Sequence, residues 1–297
     1  MVKKCRIGTE EVETLWEEVR ELSLGTSTEV ERLNSPPSPL EFLRNFVAPN
    51  KPCIISNALD HWPALSLWSS DDYLCQALGS AEVSVHLTPN GRADSLSGSL
   101  VAYAQQQNDC FRTEYSVLGS DCDTHIDWAS EALGCLPEAV NLWIGNNRSE
   151  ASFHKDHYEN LYAVVSGEKH FLLLPPTDVH RLYIRQYPAA NYSYSQDTGE
   201  FNLEFDDPIR HVPWCSVNPY PPKGREEKEH NEFPLYFNGP KPFECTVKAG
   251  EMLYLPSMWF HYVKQSPRTI AVNYWYDMQF DIKYAYFNFL QSINPIA

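Results

Sequence analysis

The chain has 297 residues, of which 43% are apolar, 13% aromatic and 21% charged, and its 39 acidic against 23 basic residues give a formal net charge of −16. That length and apolar content supply a substantial core and exclude a wholly disordered chain, while the carboxylate excess opposes binding to nucleic-acid phosphates, which rewards clustered lysine and arginine. A basic polypeptide is the partner this charge suits, although acidity also serves plain solubility.

The opening residues, MVKKCRIGTEEVETLWEEV, carry bases with no apolar stretch behind them, and no window approaches the run of about 18 apolar residues that spans a bilayer. The expectation is a cytoplasmic protein, with the nucleus as a second compartment, and with neither a membrane nor nucleic acid as direct partner. Eight cysteines are scattered without a C-x-x-C pair, which predicts reduced thiols and neither a zinc site nor a disulfide framework.

Residues 9–24 place Val12, Leu15, Trp16, Val19 and Leu22 at helical spacing, predicting an amphipathic helix inside an N-terminal helical region at 1–40, which NSPPSPL brings to a stop. EFLRNFVAPNKPCIISNA then reads as a short helix, a proline turn and a buried strand. From Glu82 onward the texture becomes short apolar runs cut by turns: VSVHL before PNG, VAYA, AVNLWIG, NLYAVV before SGEK, HFLLL before PP, FECTV, MLYL before PSMW, and TIAVNYWY. This spacing predicts a mainly β fold, an antiparallel sandwich or barrel over 41–280, and not alternating strand–helix units.

Two stretches interrupt the strands. Residues 91–127 are polar and contain Asp109, Glu114, Asp121, Asp123 and Asp127, read either as a cation-binding rim or as a solvated loop. Residues 177–242 form a long insertion rich in tyrosine, proline and charge, Glu204, Asp206 and Asp207 among them, of the kind that serves as a lid or binding loop. Its run KGREEKEHNE is expected to be a solvated loop. DMQFDIKYAYFNFLQSI, leading into the last segment 281–297, places Phe280, Tyr284, Phe287 and Leu290 at helical spacing and predicts a C-terminal helix that covers the barrel end or pairs two copies into a homodimer.

The chemistry gathers in ASFHKDHYENLYAVVSGEKHFLLLPP, residues 151–176. His154 and Asp156 stand two positions apart, so on a strand they share a face. GEMLYLPSMWFHYV, residues 250–263, brings His261 at the end of another apolar run. Two neutral imidazoles and one carboxylate with open positions form the facial triad of non-haem Fe(II) oxygenases, a set that suits iron better than zinc. His154, Asp156 and His261 are therefore the candidate catalytic metal ligands. Lys155 and His157 alternate to the opposite face, with structural or rim roles.

HKDHYENLYAVVSGEKHFLLLPP, together with AGEMLYLPSMWFHYV and IAVNYWYD, resembles the JmjC-domain 2-oxoglutarate oxygenases, and within them the small protein lysyl hydroxylases. Similarity runs from PPSPLEF and PNKPCIISNALDHWPAL through WASEALGCLPEAVNLWIG to FDIKYAYF. The resemblance implies a double-stranded β-helix, a jelly-roll or cupin-like barrel with flanking N- and C-terminal helices. It implies Fe(II) as cofactor, 2-oxoglutarate as cosubstrate and O2 as oxidant, with His154, Asp156 and His261 on the iron. Lys169 would pair with the distal carboxylate of 2-oxoglutarate, a job one point charge does well, and Tyr103 would be a second donor to it. Asn160 and Asn273 would line the cosubstrate site, and Tyr162 and Trp275 would wall it.

The sequence departs from the family pattern in two places. Ala151 stands where the family has a threonine that hydrogen-bonds the cosubstrate, a loss of roughly 0.5–1.5 kcal/mol, and Ser152 points elsewhere if the strand alternates. The stretch between Asp94 and Val101 is also shorter, lacking a helix and loop that precede the tyrosine strand in the family. The implied reaction is hydroxylation of a lysine side chain in a basic segment of a protein substrate, with translation-associated GTPases as the substrates implied for the subgroup. Three rivals remain: demethylation of N-methyl-lysine on histones by the same iron chemistry; a histone-tail peptidase, for which no Cys–His or Ser–His system is visible; and a non-catalytic cupin-like binding protein, against which the triad and Lys169 stand.

Overall fold

The apolar runs become strands β1 (Glu31–Leu33), β2 (Cys53–Ile55), β3 (His86–Thr88), β4 (Val101–Tyr103), β5 (Ala139–Gly145), β6 (Ala151–His154), β7 (Tyr158–Ser166), β8 (Glu168–Leu174), β9 (Arg185–Pro188), β10 (Ala190–Tyr194), β11 (Phe201–Phe205), β12 (His211–Trp214), β13 (Phe243–Lys248), β14 (Met252–Leu255), β15 (Phe260–Gln265) and β16 (Thr269–Asp277). The structure is a computed structural model that describes residues 9–24, 29–95 and 98–292. A six-stranded sheet has the order β1-β2-β14-β7-β16-β5, and a four-stranded sheet the order β13-β8-β15-β6. Within both, every pair is antiparallel except β1 with β2. From β5 to β8, and again from β13 to β16, successive strands alternate between the sheets. This winding is the jelly roll, the mainly β cupin-like barrel expected from the sequence.

Each central strand is buried on both faces, and its two faces go to different places. On β7, Leu161, Ala163 and Val165 join Ile270, Val272 and Tyr274 of β16 in an outer layer under the N-terminal segments, packed against Phe42 and Trp68. Tyr162 and Val164 point the other way, meeting Phe171, Leu173, Leu253 and Val263 between the sheets. On the far side, Leu172, Leu174, Phe260 and Tyr262 are covered by Leu182 and by Phe287 and Leu290 of the helix Ile282–Ser292. Burying one such side chain contributes about 1.5–3 kcal/mol, so three apolar layers hold the barrel. The hairpin joining β7 to β8 turns on Gly167, whose φ is +74° and whose missing Cβ would sit 2.1 Å from the Arg268 carbonyl oxygen. Only glycine meets both conditions.

Several expectations need correction. β1 lies within the region read as N-terminal and helical, yet it extends the larger sheet, because Glu31–Leu33 lies parallel to Cys53–Ile55. The helix Thr9–Leu24 forms, but Leu22 is 79% exposed; the side chains of Val12 and Trp16 lie outside those described. Its docking rests on Leu15, which packs against the apolar cluster of Leu182 and Phe287, and on Arg20, which donates to Asp178 at 2.6 Å. VSVHL is a strand only from His86 onward. The solvated run at 223–232 is exposed as expected, but Glu226–Glu232 is helical, with acids in its first turn where the helix dipole favours them.

Phe280 precedes the C-terminal helix and is 64% exposed, so the face that covers the barrel is carried by Phe287 and Leu290; residues 293–297 lie outside those described. The insertion is not irregular: β9 pairs with β12 and β10 with β11, giving a long β-ribbon bent at Ala189. The acids of 91–127 form no free rim. Asp121 is buried and accepts from Trp68 Nε1 at 2.8 Å and the Tyr73 hydroxyl at 2.7 Å, and Asp123 accepts from Trp62 Nε1 at 2.9 Å. Asp109 receives the Val140 amide at 2.8 Å, and Glu114 the Ser84 amide at 2.6 Å. Asp109 thereby fastens the outer layer to β5, and the other three carboxylates brace that layer internally, while the Asp127 side chain stays solvent-exposed.

Candidate active site

His154 ends β6 and His261 stands opposite it on β15, their Cα positions paired in the ladder. Between that pair and Val263 opposite Ala151, the register slips, so that three steps along β6 match two along β15. The slip is a β-bulge. It aims both Ala151 and His154 into the barrel, which strict alternation forbids, and leaves the Ser152 hydroxyl buried without a hydrogen-bond partner among the described residues. The position occupied by Ala151 thus faces the chamber, and Ser152 does not replace it.

Asp156 is not on the strand. β6 stops at His154, so the shared face inferred from spacing is not what joins the two; Asp156 lies in the connection to β7. That connection is held by Met258, whose amide donates to the Asp156 carbonyl oxygen at 2.9 Å and whose φ is +67°. Next to it, buried Glu159 accepts from the Tyr254 hydroxyl at 2.6 Å and from the Ser257 hydroxyl and amide at 2.9 and 3.1 Å. A fully satisfied carboxylate therefore clamps the β14–β15 turn beside the Asp156 connection.

The ligand atoms of His154, Asp156 and His261 all lie within 4.8 Å of one another. His154 Nδ1 bonds the Ser152 carbonyl oxygen at 2.7 Å and His261 Nδ1 the Trp259 carbonyl oxygen at 3.1 Å. Carbonyls only accept, so each Nδ1 donates its proton, which leaves Nε2 as the ring atom available to a metal. Burial, then the neighbouring His154, pushes His261 down to about 4, and the ring is neutral at physiological pH. Lys155 and His157 face away: the Lys155 ammonium lies 3.1 Å from His157 Nε2 and 4.7 Å from the centre of the Phe287 ring.

Lys169 enters the chamber from β8, two residues after the glycine turn, and is wholly buried. Its ammonium donates to the Tyr103 hydroxyl at 2.9 Å and lies 5.2–5.7 Å from the centres of the Tyr103, Trp143 and Tyr162 rings. Among the described residues no carboxylate pairs with it, and burial pulls its pKa down from 10.5 to about 7. Along the wall, Trp143 Nε1 donates to Asn273 Oδ1 at 2.7 Å and Asn273 Nδ2 to Asn160 Oδ1 at 3.1 Å. Trp275 stacks on Tyr158 with ring centres 4.7 Å apart, and its indole N–H is buried without a partner among the described residues.

Every candidate residue therefore lines one chamber of ≈60 Å³: Tyr103, His154, Asp156, Asn160, Tyr162, Lys169, His261, Asn273 and Trp275. Sequence reasoning missed Trp143 and the two glutamines at the mouth, Gln105 and Gln107. Trp143 had a signal, since it shares the inward register of AVNLWIG with Asn141. Gly145 was also missed: a Cβ there would lie 2.3 Å from Gln265 Nε2 and 2.8 Å from the Tyr103 ring.

A jelly roll holding two histidines and one carboxylate on its inner face, beside a buried lysine, defines the cupin class of non-haem metal oxygenase. The comparisons with known proteins agree. A cupin-like domain matches residues 39–106 and 97–282. The chain is 63% identical to lysine-specific demethylase JMJ32 of Arabidopsis thaliana, over 95% of this chain and 91% of that protein. It is 43% identical to the bifunctional peptidase and (3S)-lysyl hydroxylase JMJD7 of Homo sapiens, over 89% of each. JmjC domain-containing protein E of Dictyostelium discoideum is 36% identical, over 89% of this chain and 88% of that one. The chain belongs to the cupin-like JmjC family. Its alignment with JMJ32 covers 316 positions, more than the chain possesses, and the two domain matches overlap at 97–106, next to the shortened stretch after Asp94.

Proposed function

We propose that the chain is an Fe(II)- and 2-oxoglutarate-dependent oxygenase that hydroxylates a lysine side chain of a protein substrate. The observation that carries this reading is the Lys169 ammonium, buried in the same chamber as the triad with no carboxylate among the described residues to neutralise it. A buried cation without a counter-ion is costly, and a dicarboxylate cosubstrate supplies the missing partner.

The residues fit the implied groups. His154 and His261 present their Nε2 atoms and Asp156 a carboxylate, the ligand set suited to Fe(II). Lys169 and the Tyr103 hydroxyl would hold the distal carboxylate. The orphaned Trp275 indole N–H marks a place for a further acceptor, since leaving it unpaired costs about 1–3 kcal/mol. Bound there, iron with 2-oxoglutarate and O2 would supply insertion of one oxygen atom into a C–H bond, with succinate and CO2 as the other products. The protein's part is to fix the ligands through the Glu159 clamp and the two Nδ1 hydrogen bonds, to exclude water behind Trp143, Tyr162 and Trp275, and to admit the target side chain past Gln105 and Gln107.

A second reading, removal of a methyl group from N-methyl-lysine, is favoured by the 63% identity to a protein named as a lysine-specific demethylase. A peptidase activity, named for JMJD7, finds less support, because neither serine nor cysteine lines the chamber. Mass spectrometry of lysine-containing and methyl-lysine-containing peptides, incubated with Fe(II) and 2-oxoglutarate, separates the three. Gain of one oxygen is hydroxylation, loss of one CH2 is demethylation and a shortened backbone is proteolysis. No succinate from any peptide overturns the oxygenase reading.

A further inference from the structure

Gln105 lines the chamber and also an open groove of ≈930 Å³ that leads away from it, so the two share a wall. One side of the groove is the inner face of the β-ribbon, where Tyr187 pairs with Val212, Tyr192 with Leu203 and Ala190 with Phe205. The other side includes β3, which lies beside β10. β3 is paired only with β4 and β10 only with β11, so each has a strand edge without a backbone partner among the described residues. The Tyr192 hydroxyl ties the ribbon to the Ser95 carbonyl oxygen at 2.8 Å. Leu203 and Phe205 nevertheless stand 41% and 58% exposed, apolar surface that the fold itself does not cover.

We propose that this groove receives an extended, basic stretch of the protein substrate, and that the β-ribbon selects it; the inference rests on the lysine-oxidation reading of the chamber. Unpaired strand edges bind extended peptide, with alternate side chains entering pockets on either side. The aromatic wall suits the alkyl stems and cationic heads of lysine and arginine. The charge points the same way. Residues 185–214 carry five acids against two bases, and one of those bases, Arg210, is held by Asp206 at 2.7 Å; the five acids lie outside the groove lining and act on an arriving segment at a distance, within a chain of net charge −16. That field draws in a basic segment and repels a second copy of this chain. A lysine projecting from the bound segment at Gln105 stands at the chamber mouth.

The test uses the full chain and direct binding, read by the anisotropy of a labelled peptide of repeated Lys-Val-Thr-Gly, beside its counterpart with glutamate for lysine. Leu203→Ser/Phe205→Ser strips the groove wall, and its unfolding midpoint reports that it folds; Asn202→Ala alters the opposite face of the same strand. The lysine peptide binds at least tenfold tighter than the glutamate peptide, the double variant loses about tenfold, and Asn202→Ala binds as the parent does. Equal binding of the two peptides, or undiminished binding by the double variant, overturns the proposal. So does a double variant that instead converts a dimer to a monomer in sedimentation, since the groove then holds a second copy. Failure of the parent to turn over 2-oxoglutarate strikes the chamber's reading alone, because peptide binding is measured without turnover.

Discussion

Replacing Lys169 by methionine should make the chain more stable while destroying its ability to bind 2-oxoglutarate. Moving an ammonium from 10.5 to about 7 withholds roughly 1.4 kcal/mol per unit, or on the order of 4 kcal/mol near neutral pH. Two kinds of contact offset part of this. The hydrogen bond to Tyr103 returns about 1 kcal/mol, and the Trp143 and Tyr162 rings at 5.7 and 5.2 Å, near the limit for such contacts, return roughly 0.5 kcal/mol each. Methionine has a similar length and no charge, so Lys169→Met should gain roughly 1–2 kcal/mol, or on the order of 2–8 °C in unfolding midpoint. The sign with pH is definite. Between about 7 and 10.5 the unfolded chain keeps this proton and the folded chain does not, so the parent's stability rises with pH relative to the variant's. Urea unfolding of both proteins without 2-oxoglutarate at pH 7 and pH 9 measures the difference directly. A variant no more stable than the parent, with a difference that does not change with pH, would refute the view that Lys169 is a buried charge awaiting a partner.

Other perturbations probe the remaining parts of the site. Asp156→Ala should abolish succinate release with little change in unfolding midpoint, because Asp156 is tied to the fold through its carbonyl oxygen; an unchanged rate would remove it from the ligand set. Gly145→Ala forces a methyl against Gln265 and the Tyr103 ring, so KM for 2-oxoglutarate should rise and stability fall by about 1–3 kcal/mol, as steady-state kinetics and calorimetry would show. Glu159→Ala leaves three buried donors without an acceptor and should cost several kcal/mol, at about 1–3 kcal/mol for each orphaned group. Glu159→Gln should retain the fold and weaken Fe(II) affinity by about tenfold or more, a shift titration calorimetry can read.

The barrel and its chamber were legible in the sequence because inward and outward positions alternate along strands that are each bounded by turn residues. HFLLL, MLYL and TIAVNYWY announce themselves in that way, and the polar members of the inward register, Lys169, His261 and Asn273, stand out against them. What stayed hidden depends on contacts between distant segments. The β6 bulge comes from the ladder with β15 and leaves no mark in ASFH, so the shared orientation of Ala151 and His154 could not be counted from spacing. Asp109, Asp121 and Asp123 looked like surface acids because their donors, Val140, Trp68 and Trp62, lie elsewhere in the chain. The ribbon was harder to read: ANYSY and FNLEF alternate, but β9 and β12 are exposed along almost their whole length and show no buried side.

The alternation of the central strands also separates two kinds of inheritance. Outward positions such as Val272 and Leu161 answer only to the packing above the sheet, while their immediate neighbours Asn273 and Tyr162 answer only to the chamber. A lineage can therefore drift through many aliphatic combinations on one side of a strand without disturbing the residues that face the other way. The converse also follows. A single-residue deletion inside β16 would exchange the two sets at one stroke, so indels should survive in the ribbon and the surface turns and be purged from the strands that enclose the metal ligands.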